Sequence, residues 1–344
     1  MIKAIADLLK RNLADYKLRL KRRWLLFRAI RKSGELSTVV NRTATIQKND
    51  ILCFATVRNE RVRLPYFLKH HRALGVSQFL IVDNASDDGT RAYLEDQPDV
   101  SVWSTSTSYR SARFGMDWIT WLQMRYGRGH WCLTLDADEA MVIPHHDARD
   151  LKDLTAFLDR KRAEVFPALM LDLYPKTRLD EAKYTTGAPF TDALGFYDAY
   201  GYDWEQQPKY RNISIRGGVR KRVFFSKKPD LAPHMHKTPL IKWRWRYAYV
   251  SSTHIALPAR LNRGFDARHR LPTGVLLHAK FLDEALRQSV SEPIRKEHFT
   301  HPEFYNEYYD AVRSNPILWD STSHSYQGWA RLEQEGLMTR GDWD

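Results

Sequence analysis

Between Ile51 and Leu135 the chain alternates short apolar runs with helical patterns, and that alternation restricts the folds open to it more than any other feature. Ile51-Leu-Cys-Phe-Ala-Thr-Val57, Gln78-Phe-Leu-Ile-Val82, Asp99-Val-Ser-Val-Trp103 and Trp131-Cys-Leu-Thr-Leu135 read as strands. Their near-continuous apolar character is that of strands buried on both faces. Between them lie helical stretches from Leu64 to Leu74, closed by Gly75, from about Asp88 to Leu94, and from Ala112 to Tyr126, stopped by Gly127 and Gly129. Strands alternating with helices predict an α/β fold with a mostly parallel sheet, whose ligands bind at the carboxyl ends of the strands. A helix from Leu151 to Ala163 and a strand from Val165 to Leu173 extend the pattern. From Tyr174 to about Tyr249 the chain turns aromatic, Gly/Pro-rich and basic without clear periodicity, which suits substrate-shaping loops. From about Asp283 to the end a helical region is expected.

The fourth strand runs into Asp136-Ala-Asp-Glu139. Three acids in four residues repel one another and resist burial unless something cationic arrives. Asp136 and Asp138 alternate with Ala137, so on an extended backbone both point to one side. Two carboxylates at a strand end suit a hard divalent cation carrying substrate phosphates. The second strand likewise ends in an acid, Asp83, placed to hydrogen-bond a base or a ribose hydroxyl. Asp87 and Asp88 after it read as turn and helix-cap residues.

The formal charge of +13 is unevenly spread. Residues 1–33 hold eleven basic side chains against Asp7 and Asp15, a net +9 in a tenth of the chain. Ile2, Ile5, Leu9, Leu13, Tyr16, Leu20, Trp24, Phe27 and Ile30 recur every three or four residues, the stripe of an amphipathic helix. Such a helix fits either the surface of an anionic membrane or a site on its own domain with a solvated basic face. No apolar run approaches a membrane span, and no secretory signal pattern appears. Cys53 and Cys132, the only cysteines, both sit in apolar strands and read as core thiols of a reducing compartment, neither disulfide nor metal pair.

Three motifs in order, Thr56-Val-Arg-Asn-Glu60, Asp83-Asn-Ala-Ser-Asp-Asp-Gly-Thr90 and Asp136-Ala-Asp138, resemble the sugar-nucleotide half of family 2-like glycosyltransferases. More narrowly, Leu64-Pro-Tyr-Phe-Leu-Lys-His-His-Arg-Ala-Leu-Gly75 followed by an Asp-Asn pair resembles a bacterial branch with that variant nucleoside motif. The resemblance spans residues 50–145. It implies a GT-A, Rossmann-like fold binding a nucleotide-sugar donor and a divalent cation, Mn²⁺ or Mg²⁺. Thr56 and Glu60 would then flank the nucleoside, with Val57 and Arg58 on the same donor-binding stretch. Asp83 would contact base or ribose, Asp136 would lie near ribose, sugar and metal, and Asp138 would hold the metal, with Glu139 behind. Ser111-Ala-Arg-Phe-Gly115 resembles a segment that precedes the metal motif, with Phe114 where Asn is usual. It offers Arg113 to the diphosphate or donor. In such folds a late histidine often completes the metal site, and Val275-Leu-Leu-His278-Ala-Lys280 supplies one, with Lys280 on the same face as a donor contact; the alternative is a satisfied core histidine. His234 and His236 read as surface residues, His70 and His71 as structural.

An inverting transfer needs a carboxylate to deprotonate the acceptor hydroxyl. Asp192, Asp198, Asp203 and Glu205, in an aromatic stretch, are the candidate bases. Lys242-Trp-Arg-Trp-Arg-Tyr247, if extended, sets Trp/Trp/Tyr on one face and Lys/Arg/Arg on the other, fit for stacking a sugar beside a phosphate; a structural edge strand is the alternative. The expected organisation is a basic helix and linker (1–48), a nucleotide-sugar half (49–175), an acceptor-side region (176–282) and a helical C-terminal region (283–344). The expected protein is a metal-dependent glycosyltransferase on the cytoplasmic face of a bacterial membrane, acting on a cell-surface glycan of lipopolysaccharide-core or capsule type, with no nucleic-acid partner. Its rivals are a non-enzymatic membrane or nucleic-acid adaptor, which leaves the paired aspartates unexplained, and a haloacid-dehalogenase-type phosphatase. In the latter the Asp-x-Asp opens the domain instead of following earlier βα units. An EF-hand loop fails for want of its glycine and final glutamate.

Overall fold

A computed structural model describes residues 2–282, 308 and 310–344. The first half comprises α1 (Ile2–Lys32), β1 (Ser37–Val40), β2 (Ile51–Val57), α2 (Leu64–Ala73), β3 (Gln78–Asp83), α3 (Thr90–Glu95), β4 (Val100–Ser104), α4 (Met116–Tyr126) and β5 (Trp131–Thr134). There follow β6 (Glu139–Val142), α5 (Leu151–Arg160), β7 (Val165–Asp172), β8 (Phe196–Asp198), β9 (Asp203–Gln207) and β10 (Asn212–Arg216). The remaining strands are β11 (His236–Lys242), β12 (Ala248–Ser251), β13 (Ile255–Leu257), β14 (Gly274–His278) and β15 (Ser323–Ser325).

Among the described residues nine strands form one sheet, in the order β1-β4-β3-β2-β5-β11-β7-β14-β6. β2, β3, β4, β5, β7 and β14 point the same way, and β1, β11 and β6 run against them. The chain therefore forms the α/β fold expected of it, a Rossmann-like, mostly parallel sheet flanked by helices. Strand alternation sorts the core into two layers. Ile51, Cys53, Ala55 and Val57 pack with Phe67, Leu68, Leu154 and Leu158 of α2 and α5. Leu52 and Phe54 pack with Trp118, Ile119 and Leu122 of α4. The two cysteines fall in different layers, because Cys53 lies opposite Leu133 and Leu52 opposite Cys132. Their Cβ vectors diverge, so no disulfide spans them. Both thiols are free and buried, and burial pushes both up.

Two histidines hold the edge strand β6 in place. His70 Nε2 meets Met141 O at 2.8 Å, and Met141 N donates to His71 Nε2 at 3.3 Å while His71 Nδ1 meets Phe67 O. Burial pushes His70 down to about 4 and His71 well below its ordinary value, so both stay neutral and structural, as expected.

Several boundaries differ from expectation. The stretch after α1 is no linker: Ser37–Val40 pairs antiparallel with β4 and closes that edge of the sheet. The region 176–282 is not separate from the nucleotide half either, since it contributes β11 and β14 to the same sheet. α4 begins at Met116 rather than Ala112, because Arg113, Phe114 and Gly115 all take positive φ (+53°, +56° and +74°) and cannot continue a right-handed helix. Of the helical C-terminal region, residues 283–307 and 309 lie outside the described residues; the rest carries helical residues at 310–313, the helix Trp329–Gln334, the strand β15 and irregular chain. No helix among the described residues is long and apolar enough to cross a membrane.

Candidate active site

From β2 the chain moves outward through β3 and β4, then crosses to the other side of β2 to lay down β5. The direction of winding reverses there, and such a reversal opens a crevice beyond the carboxyl ends of the two strands. Thr56 from β2 and Asp136 just past β5 line a small recess at that point, partly open to solvent, with Tyr109, Phe114, Lys237 and Ser252 among its walls. Thr56 Oγ1 is buried and has no hydrogen-bond partner among the described residues, a costly state that a bound ligand would relieve. Gly115 allows α4 to come this close: a Cβ there would stand 2.6 Å from Thr56 Oγ1. Positive-φ residues cluster in the loops leaving the same edge of the sheet, namely Asn59, Ala85, Arg113 and Phe114. Strain of this kind persists where the surroundings hold it, often at functional sites.

The acids at the end of β5 do not stay on one side. Glu139 N donates to Asp136 O at 3.1 Å, closing a turn over Ala137 and Asp138, so the extended alternation expected of Asp136 and Asp138 is broken. Asp136, its side chain half-exposed, accepts from Lys237 Nζ at 2.9 Å, and the same ammonium binds the fully buried Glu139. Lys237 is the cation that makes this acid cluster tolerable. Burial alone would lower its pKa, but Asp136 and Glu139 outweigh burial and hold it above the ordinary lysine value. It comes from β11, where the ladder register breaks between Lys237 and Leu240 around Pro239, which has no N–H to give.

Asp138 turns the other way. Its Oδ2 lies 3.3 Å from His278 Nε2, and His278 Nδ1 lies 2.6 Å from Asp172 Oδ1. Asp172 Oδ2 in turn accepts from Arg220 Nε at 2.7 Å. Sheet register sets up the relay: His278 at the end of β14 stands beside Asp172 at the end of β7 and opposite Glu139 at the start of β6. Burial would raise the Asp138 carboxyl, but the His278 imidazole, with Arg63 and Lys280, carries it well below the usual range. Burial would lower His278, and the two aspartates lift it instead.

Whether these residues suit a divalent cation follows from the donor set. A metal-bound histidine typically gives its second ring nitrogen to a carboxylate, which fixes the tautomer and the ring. His278 has that arrangement, with Asp172 on Nδ1 and Nε2 turned to Asp138. Asp138 and His278 thus fit as two protein ligands, with phosphate oxygens and water to complete a hard cation's shell. Among the described residues no group of three His, Cys, Asp or Glu could hold a metal. Asp136, expected as a further ligand, is instead engaged by Lys237.

Glu60 accepts from Arg63 Nη1 at 2.8 Å within electrostatic reach of Asp138 and Lys280; burial pushes its carboxyl up against the pull of Arg63. Arg58 Nε is buried without a partner among the described residues, and Val57 is core. Asp83 is fully buried and presents no open oxygen to a base or ribose: Arg91 Nε donates to it at 3.0 Å and Ser86 N at 3.3 Å. It anchors its own loop. Asp88 is turn chemistry as expected, accepting from Thr90 N and Arg61 N. Arg113, expected on the donor, is spent elsewhere: Nε donates to Asp117, and Nη1 to the carbonyls of Tyr249 and Val250. Those bonds lock the left-handed turn that aims Phe114 at the recess.

Of the candidate bases, Asp198 is buried and held by both Tyr174 and a two-pronged Arg222. Asp203 pairs with Lys221 and Glu205 with Arg216, both on an exposed hairpin. Asp192 is exposed, and its carboxylate has no partner among the described residues. It lies within electrostatic reach of Tyr66 and Tyr184, and Tyr184 is likewise in reach of Arg63 beside Glu60. His236, expected at the surface, is buried in β11, where His234 and His254 close around it. The Lys242–Tyr247 platform does not form. Trp243 and Tyr247 enter the core, Trp245 and Arg246 occupy a turn, and Lys242 lies opposite Trp131, at the far end of β5 from the acids.

Sequence reasoning missed Lys237, Asp172 and Arg220. Asp172 had a signal, an acid closing an apolar strand as Asp83 and Asp136 do; Lys237 and Arg220 had none.

No family profile matches the chain, and no curated protein does. Similar solved structures include a 4-diphosphocytidyl-2C-methyl-D-erythritol synthase, 14% identical with a TM-score of 0.26, covering 41% of this chain and 66% of that one. Another is a Bacillus anthracis protein described as a glucose-1-phosphate thymidylyltransferase, crystallised with sucrose, 9% identical with a TM-score of 0.30 over 83% of this chain and 93% of that one. Both likenesses are distant.

Proposed function

We propose that the protein is a metal-dependent, inverting glycosyltransferase that moves a sugar from a nucleotide-sugar donor to a glycan acceptor of cell-surface type. The observation that carries this reading is the arrangement at the β2/β5 switch point: a recess with an unpartnered Thr56 hydroxyl on one side, and the Asp138–His278 pair backed by Asp172 on the other. A nucleoside would occupy the recess between Thr56 and Asp136, with Phe114 and Tyr109 as apolar walls. The diphosphate would run toward Asp138 and His278, where Lys280 and Arg63 add positive charge. A divalent cation bound there would supply Lewis-acid stabilisation to the leaving diphosphate. Asp172 fixes the ring of His278, and Lys237 keeps Asp136 and Glu139 from repelling the donor.

Asp192 is assigned as the base that takes the acceptor's proton, because the other three carboxylates are committed to cations. The test is release of nucleoside diphosphate from a panel of nucleotide-sugars with Mn²⁺ and glycan acceptors. Asp192→Asn is expected to lower kcat by ~10²–10⁴-fold while donor binding is kept. Near-normal turnover in that variant would remove Asp192 from the role; no turnover of any donor by the native chain would count against the transferase itself.

A further inference from the structure

The helix α1 has two apolar faces, and the fold uses only one. Leu25, Leu26 and Ala29 are buried, the two leucines in a cluster with Tyr210, Ala248 and Leu257. At 3.6 residues per turn the opposite side carries Leu13, Tyr16, Leu20, Trp24, Phe27 and Ile30, which are 44% to 62% exposed. A contiguous exposed stripe of this kind normally marks an interaction surface. Exposed Lys17, Arg19, Arg23 and Arg31 border it, in a segment whose net charge is +9. The only acid of this stretch with a described side chain, Asp15, is paired with Arg211.

We propose that this outer stripe lies in the interface of an anionic bilayer, with the helix parallel to the membrane plane. The sequence left open whether α1 meets a membrane or its own domain; one face packs on the domain and the other is left exposed for a partner. Apolar side chains flanked by cations match the boundary between acyl chains and anionic headgroups. A second copy of the chain is the poorer occupant, because stripe-to-stripe pairing would bring two rows of cations together. The end of α1 is also tied to the wall of the recess. Arg28 donates to Ser111 O at 2.8 Å and to Asp117 Oδ2 at 2.8 Å, and Glu35 just beyond accepts from Thr107 Oγ1 and Trp118 Nε1. Docking would therefore hold the recess beside the bilayer; that it meets a lipid-borne acceptor there is the one clause that rests on the transferase reading.

The test is co-sedimentation of the full chain with vesicles of phosphatidylcholine, with and without phosphatidylglycerol, in the absence of nucleotide and metal. Binding to phosphatidylglycerol vesicles is expected to be at least about tenfold tighter, roughly what a few basic residues near the surface supply. Combined Tyr16→Ser, Leu20→Ser and Phe27→Ser should abolish binding with an unchanged unfolding midpoint, since all three side chains are exposed. Combined Lys17→Gln, Arg19→Gln, Arg23→Gln and Arg31→Gln should remove the preference for the anionic lipid. Sedimentation of the serine variant like the native chain would overturn the proposal. So would failure of the native chain to bind phosphatidylglycerol vesicles, and a native mass by equilibrium sedimentation that halves in the serine variant would then assign the stripe to a second copy. Neither result touches donor binding, which is read separately with nucleotide and metal.

Discussion

Lys237 decides whether three acids can share one turn. It is buried, and so is one of its two carboxylates, Glu139. Removing one partner of a buried pair leaves an uncompensated charge, which costs more than the pair contributes. Lys237→Ala is expected to destabilise the chain by ~3–5 kcal/mol in urea unfolding. A loss no larger than a surface substitution gives would mean that water, not Lys237, compensates Glu139. Asp172 acts one bond further out. Asp172→Asn should weaken Mn²⁺ binding by ~10–100-fold in calorimetry, with the fold kept and Asp172→Glu partly restoring affinity; unchanged affinity would place His278 outside the metal site. The acids themselves were legible: Asp136 and Asp138 close an apolar strand, and His278 follows another. Their partners were not, because Lys237 is distant in sequence and no local pattern pairs β11 with β5. The turn was also hidden, since Ala137 carries no turn signal.

The elements that local pattern could reveal are those whose period is complete within a few residues. β2, β3, β4 and β5 and the helices between them lie within a few residues of their expected places, because buried strands and amphipathic helices declare themselves locally. β11 could not be read in that way. It is an antiparallel strand inserted between β5 and β7, and its sequence holds Pro239 and two ends rich in charge or histidine. α1 was legible as a helix, but the side it buries was not, since both of its faces are apolar. Its junction with the recess wall can be tested by pH. Burial works against the Glu35 carboxylate, but Lys32, Trp118 and Thr107 together hold its pKa below the ordinary glutamate value. A group depressed in the folded state contributes stability above its unfolded pKa and loses it as pH falls through the folded value. The stability difference between native and Glu35→Gln should therefore shrink as pH is lowered from about 7 to about 3. A difference constant across that range would show that the carboxylate's charge does not matter there.

At the scale of the molecule, one sheet edge gathers what the chemistry needs from strands far apart in sequence. Thr56 comes from β2, Asp136 from beyond β5, Asp172 from β7, Lys237 from β11 and His278 from β14. A parallel sheet brings the carboxyl ends of its strands to one side, and an antiparallel strand contributes its start, so Lys237 and Glu139 reach the same edge. That edge was foreseeable from the α/β pattern; the strand order that sets Asp172 beside His278 was not. The central claim is that this edge binds a nucleotide through a metal at Asp138. The most direct measurement is thermal unfolding with UDP, GDP, CMP, ADP or TDP, each with and without Mn²⁺, on the native chain and on Asp138→Asn. A ligand that binds only the folded state must raise the midpoint. One nucleotide should do so only with Mn²⁺ and lose the effect in Asp138→Asn. No shift with any nucleotide, or the same shift in the variant, would contradict the account.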